Sequence, residues 1–179
     1  MHATDILDFW FREIAPTQWW KAGPEFDRLI EARFLPLMEQ AAHGELYGWR
    51  DTLRGRLAEI VVLDQLSRNA WRDTPRAFAQ DGMALVLSQE AIRHGALAAL
   101  EPEERLFLLM PWMHSESSVI HAEAEGLFLA HAPASHYDFE LRHKAIIDRF
   151  KRYPHRNAIL GRASTQEEIE FLKQPGSSF

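Results

Sequence analysis

The chain has 179 residues, 46% of them hydrophobic, which is one domain's length with apolar material for a sizeable core. The formal net charge of -6 argues against general nucleic-acid binding, which needs a net basic face. The absence of cysteine removes disulfides, thiolate catalysis and cysteine-ligated metals, and fits a cytoplasmic protein.

Nearly every segment has helical periodicity. Thr4 can cap a first helix from Asp5 to about Glu13, with Ile6, Phe9 and Trp10 on one face. The N-terminus lacks the basic and apolar regions of a signal peptide. Pro16, Trp19 and Trp20 follow in a loop, the tryptophans read as anchors. Pro24 opens a second helix, striped by Phe26, Leu29, Ile30 and Phe34; Pro36 should kink or restart it and Gly44 end it. A third helix from the Asp51 cap to about Asn69 is apolar enough to be buried. Thr74-Pro75 begin a fourth segment, in which Asp81 can cap a main helix over 82–94, stopped at Gly95.

Pro102 and two glutamates start a fifth helix whose apolar run, 106–113, is shorter than the about 20 residues a membrane span takes. A sixth helix covers 118–131 and a seventh 136–152, the latter with Phe139, Ile146 and Phe150 inward and Pro154 as its stop. Ser164 to Glu167 read as a capping box for a last helix. The expected fold is all-α: a single domain over 1–174 of about eight to nine antiparallel helices, bundle-like or α-solenoid-like, with a flexible tail at 175–179.

Four polar clusters interrupt the apolar pattern. Asp64 and Arg68, and likewise Gln65 and Asn69, lie four apart and share helix faces. A carboxylate and a guanidinium ending a greasy helix must pair or be solvated. His114 and Glu116 follow the core helix. They could be a general acid/base pair, metal ligands, or a cap; a shared site requires the helix to end there. Arg142 and His143 lie on the seventh helix, His143 near its inward stripe. The fourth cluster runs from Arg149 through Arg152, His155, Arg156 and Asn157 to Arg162. It could converge on a carboxylate or phosphate beside a short helix after Pro154, or pair with internal carboxylates such as Asp64, Glu116 and Asp148. Phosphate loops, GxSxG and HExxH motifs are absent, and no metal set or organic cofactor is read.

These blocks resemble an uncharacterised bacterial domain-of-unknown-function family: Leu63-Asp64-Gln65 with Arg68-Asn69, Pro111 with His114-Ser115-Glu116, Arg142-His143, and Arg149-Phe150 through Pro154-His155-Arg156-Asn157 to Leu160-Gly161-Arg162. The chain departs from that pattern at Ser67, Ser117, Ser118 and His121. The resemblance covers nearly the whole chain and implies a tetratricopeptide-like all-helical fold, without implying an activity.

Three functional readings stay open. The first is a binding module for a small anionic molecule or peptide carboxylate. Trp10, Trp71 and Trp112 would line its pocket with Arg68, Asn69, Arg142, His143, Arg149, His155, Arg156, Asn157 and Arg162. The second is a cofactor-free or metal-dependent hydrolase or lyase, with His114 as base or metal ligand and Glu116 or Asp64 orienting it or acting as acid. The third is an interaction scaffold whose polar clusters are structural. No nucleic acid or membrane is expected as a partner, and a homodimer is compatible with the sequence.

Overall fold

The computed structural model describes residues 1–21 and 23–178, and these are all-helical, with no strand among them. The elements are α1 (Ala3–Asp8), α2 (Pro24–Ala42), α3 (Leu53–Ile60), α4 (Ser67–Ala70), α5 (Asp81–Arg93), α6 (Ala96–Ala99), α7 (Pro102–Met113), α8 (Ser118–His131), α9 (Ala134–Phe150) and α10 (Gln166–Leu172). Wide π-helical turns extend α1 over Phe9–Glu13 and join α3 to α4 over Val61–Leu66. Short 3₁₀ turns at Pro16–Trp19, Tyr47–Asp51, Pro75–Phe78 and Pro154–Arg156 connect the rest.

Local chemistry explains most of the boundaries. The α3 cap is Thr52 rather than Asp51, its hydroxyl accepting Gly55 N–H at 3.0 Å. Gly55 is obligatory: a Cβ there would lie 1.9 Å from the Trp49 carbonyl oxygen. Gly44 and Gly95 end α2 and α5 at φ +74 and +87. Pro36 does not stop α2, which runs through it to Ala42. The buried side chains of Ile30, Phe34 and Met38 hold that helix against the core. Three further caps fall one or more residues from the expected place. The α1 cap is His2, whose N–H donates to Asp5, not Thr4. The capping box of α10 is Thr165 with Glu168, not Ser164 with Glu167. Asp81 lies inside α5 and spends its carboxylate on tertiary contacts.

Helices pack on neighbours and next neighbours. α1 meets α3, α3 meets α5, α5 meets α7 and α7 meets α9, alongside the sequential pairs α7–α8 and α8–α9. α2 lies on α4 and on the π turn that precedes it. One core gathers Phe9, Trp10, Phe34, Leu63, Phe107 and Phe128. A smaller cluster of Ile146, Ile147 and Tyr153, with Phe150 and Phe171 against it, anchors the C-terminal third. In the 175–179 segment Ser177 is buried and its hydroxyl donates to the Leu172 carbonyl at 3.1 Å; the segment's last residue, Phe179, lies outside the described residues. No described helix is long and apolar enough to cross a membrane.

Candidate functional site

The π turn at Val61–Leu66 is the root of the site. A wide turn interrupts the regular ladder and re-aims the side chains that follow it. Here it carries Asp64, fully buried, and Gln65. Ser67 donates to the Val62 carbonyl five residues back, and Asn69 to the Gln65 carbonyl.

Asp64 accepts three side-chain hydrogen bonds: His114 Nδ1 at 2.8 Å and Arg68 Nη1 at 3.0 Å on Oδ1, and Gln65 Nε2 at 2.6 Å on Oδ2. Burial would raise its pKa, but Arg68 and His114 outweigh burial and hold the carboxyl well below the usual range. Asp64 is therefore an ionised acceptor. His114 presents Nδ1–H to it, which leaves the Nε2 lone pair without a partner among the described residues. Burial, reinforced by the Arg68 charge, lowers the His114 pKa and keeps the ring neutral.

His114 occupies the C-cap of α7, so the core helix ends at this histidine. That removes the geometric obstacle to His114 and Glu116 sharing a site, yet they do not pair. Glu116 is clamped bidentately by Arg162 at 2.6 and 2.9 Å and accepts the Tyr153 N–H at 2.7 Å. The carboxylate partner of His114 is Asp64.

Behind His114 lies a second shared carboxylate. Asp81 Oδ2 accepts Arg68 Nη2 at 2.9 Å and Arg156 Nη1 at 3.0 Å. Arg156 also donates to the His114 carbonyl at 3.1 Å, and its guanidinium lies between Phe78 and Tyr153, 4.5 and 4.7 Å from the ring centroids. Residues from α4, from the start of α5, from the end of α7 and from the C-terminal loop thus converge.

The convergence forms one wall of a cleft of about 720 Å3. Trp19, Trp20, Phe78, Phe139 and Tyr153 supply aromatic surface, and Met110, Met113 and Ile159 aliphatic surface. Polar groups reach it from Gln65, Arg68, Asn69, Arg72, Arg156 and four histidines, including His114. Burial drives the others neutral: His143 to about 3 and His155 to about 4, with His136 also lowered.

Of the residues expected at a site, the structure brings Arg68, Asn69, His114, His143, His155 and Arg156 to this cleft, with Asp64 directly behind. The others lie elsewhere. Trp112 is a core residue whose Nε1 donates to Ser88. Trp10 packs edge-on to Phe107, and Trp71 stacks on Arg76. Arg142 is exposed over Phe139. Arg149 is paired to Glu167, and Asn157 and Arg162 belong to the staple that folds the 153–164 loop. Arg152 likewise clamps Glu168, holding that carboxyl at about 2. The basic stretch is thus consumed largely by internal carboxylates, although by Asp81, Glu167 and Glu168 beside Glu116 rather than by Asp148, which pairs with Lys144.

Sequence reasoning missed Asp81, Phe78 and Tyr153 as site components and read Trp19 and Trp20 only as loop anchors. Phe139, assigned inward, is 44% exposed at the cleft. His121, which departs from the family pattern, has a structural role. It is fully buried, with Nδ1 at 2.6 Å from Glu140 and Nε2 donating to the Ser115 carbonyl at 2.9 Å. Burial raises the Glu140 pKa, and its Oε2 has no partner. Among the described residues no group of three or more His, Cys, Asp or Glu is placed to hold a metal.

The fold and site define an all-helical domain with an aromatic cleft and a buried Asp–His pair at its wall. Residues 6–176 match the family described as a bacterial protein of unknown function, DUF924, and the chain belongs to it. A solved protein of unknown function from Agrobacterium tumefaciens is similar at 34% identity and a TM-score of 0.90, covering 96% of each chain. No curated protein matches the chain.

Proposed function

We propose that the cleft binds a small molecule and that His114 acts on it as a general base, making the chain a hydrolase- or lyase-type enzyme without an organic cofactor. The observation that carries this reading is His114 Nε2, without a partner at the wall of the cleft, opposite an Nδ1 locked to the buried carboxylate of Asp64. A base needs an accessible lone pair, a fixed tautomer and a counter-charge for the imidazolium it becomes. Asp64 provides the last two, and Arg68, holding both the carboxylate and the carbonyl of Asp64, fixes the acceptor. In the reaction Nε2 would take a proton from water or from the substrate, and Asp64 would stabilise the resulting cation.

Nitrogen-15 NMR of the histidines at neutral pH tests this directly. The expected result is protonated Nδ1 and unprotonated Nε2 at His114. A screen of hydrolase and lyase substrates should also yield a turnover that folded His114→Gln lacks. Protonated Nε2, or a turnover that survives His114→Gln, overturns the reading.

Binding without turnover is the second reading, supported by the aromatic walls. An anionic ligand has less support, because each arginine at the cleft already meets a carboxylate. The absence of cysteine supports a cytoplasmic setting.

A further inference from the structure

We propose that the ligand of this cleft is an uncharged, planar aromatic molecule carrying an O–H or N–H donor. The inference rests on the reading of the cleft as a small-molecule site and names the class it admits.

Every guanidinium at the wall already meets a carboxylate, although Arg156 Nε and Asp81 Oδ1 stay buried without a partner among the described residues. Arg72 is held bidentately by Asp27 at 2.7 and 2.9 Å. Arg68 gives Nη1 to Asp64 and Nη2 to Asp81. Arg156 gives Nη1 to Asp81 and Nη2 to a carbonyl, and aromatic rings flank its guanidinium. Three guanidinium groups are therefore met by three carboxylates, Asp27, Asp64 and Asp81. At Arg68 and Arg156 a ligand carboxylate or phosphate would have to displace one of these partners, and leaving a buried charge without its partner is strongly unfavourable, whereas the half-exposed Arg72 is already held at both ends of its fork by Asp27. Asp73, exposed at the edge of the cleft, adds a further negative charge. The neutral histidines offer no counter-charge to an anion.

The same wall has acceptors to spare. Gln65 is buried and gives its amide N–H to Asp64, so its Oε1 points away from that bond and has no partner among the described residues. His114 Nε2 is the second unpartnered acceptor. Both residues line the cleft. Two acceptors beside flat aromatic walls select a flat ring with a donor. A molecule lacking the donor leaves a desolvated acceptor unmet, whereas burial of a charged group without compensation costs far more.

Three probes with one ring system separate these requirements at neutral pH by isothermal titration calorimetry: 2-naphthol, 2-methoxynaphthalene and 2-naphthoate. The expected order is 2-naphthol tightest, with at least tenfold weaker binding of the methyl ether and of the anion. Trp20→Ala and Phe139→Ala alter half-exposed walls, so both should fold, as circular dichroism will show, and each should weaken 2-naphthol several-fold. Equal or tighter binding of 2-naphthoate overturns the inference, as does the failure of 2-naphthol to bind folded wild type. Neither result touches the general-base reading, which the His114 tautomer decides independently.

Discussion

Asp64 and His114, fifty residues apart, are joined by a 2.8 Å hydrogen bond from Nδ1 to a fully buried carboxylate oxygen. Asp64→Asn keeps the shape but removes the charge that Arg68 and His114 face. Loss of one member of a buried ion pair costs about 3 kcal/mol or more. Urea unfolding should show that loss, and His114 should shift toward the tautomer protonated on Nε2. Unchanged stability together with an unchanged tautomer would remove Asp64 from the role given to it.

Acid should unfold the protein earlier than an ordinary helical domain. Burial holds His143 at about 3 and His155 at about 4, and it lowers His114 as well. The unfolded chain carries histidines near about 6.5. Between these values the unfolded state binds protons that the folded state refuses. Stability is therefore full above about 6.5 and falls as pH drops toward 4, by up to about 1.4 kcal/mol per pH unit for each histidine. The depressed Asp64 acts in the same direction but lower, its contribution being lost below about 4. Denaturant midpoints from pH 7.5 to 4.5 should decline, and His143→Gln should flatten the slope below about 6.5.

The shared carboxylate of Asp81 makes α5 part of the site. Asp81→Asn leaves Arg68 and Arg156 competing for a neutral acceptor beside each other. We expect a loss of about 3 kcal/mol, with a double-mutant cycle against Arg156→Gln showing strong coupling. Additive effects in that cycle would mean the pair is not joined through Asp81.

Glu116 and Arg162 staple the loop that delivers Tyr153, His155 and Arg156 to the cleft. Glu116→Gln should speed amide exchange of Tyr153 at least tenfold while leaving the exchange of α3 and α7 amides unchanged. Slow exchange at Tyr153 in that variant would show that the loop is held by other contacts.

Two glycines make opposite predictions. Gly55→Ala drives a methyl into the Trp49 carbonyl and should cost about 3 kcal/mol. Gly126→Ala, inside α8 with nothing within 4 Å of the added carbon, should stabilise by about 0.5–1 kcal/mol. Thermal melts of the two variants read both.

Much of the fold is written in local chemistry. Pro24, Pro102 and Gly95, with the apolar spacing of the long helices, place most elements within a few residues, because each signal acts over one turn. The four-residue spacing of Asp64 and Arg68 and the helix end at His114 were legible for the same reason. Caps were less so: Thr52 and Thr165 compete with adjacent polar residues, and backbone geometry chooses between them.

The site itself was decided by tertiary structure. Periodicity says which residues share a face, and nothing in it says that the π turn with α4, the start of α5, the end of α7 and the 153–162 loop meet at one cleft. Asp81 reads as a helix cap until Arg68 and Arg156 arrive from 13 and 75 residues away. His114 reads as the partner of Glu116, two residues on, until Arg162 takes Glu116 and the buried π turn offers Asp64 instead. The sequence by itself determined the helices, their apolar faces and the supply of charged groups. Which opposite charges met, and which were left facing the cleft, depended on how those helices packed, because desolvation makes every buried charge take the partner that the fold brings nearest.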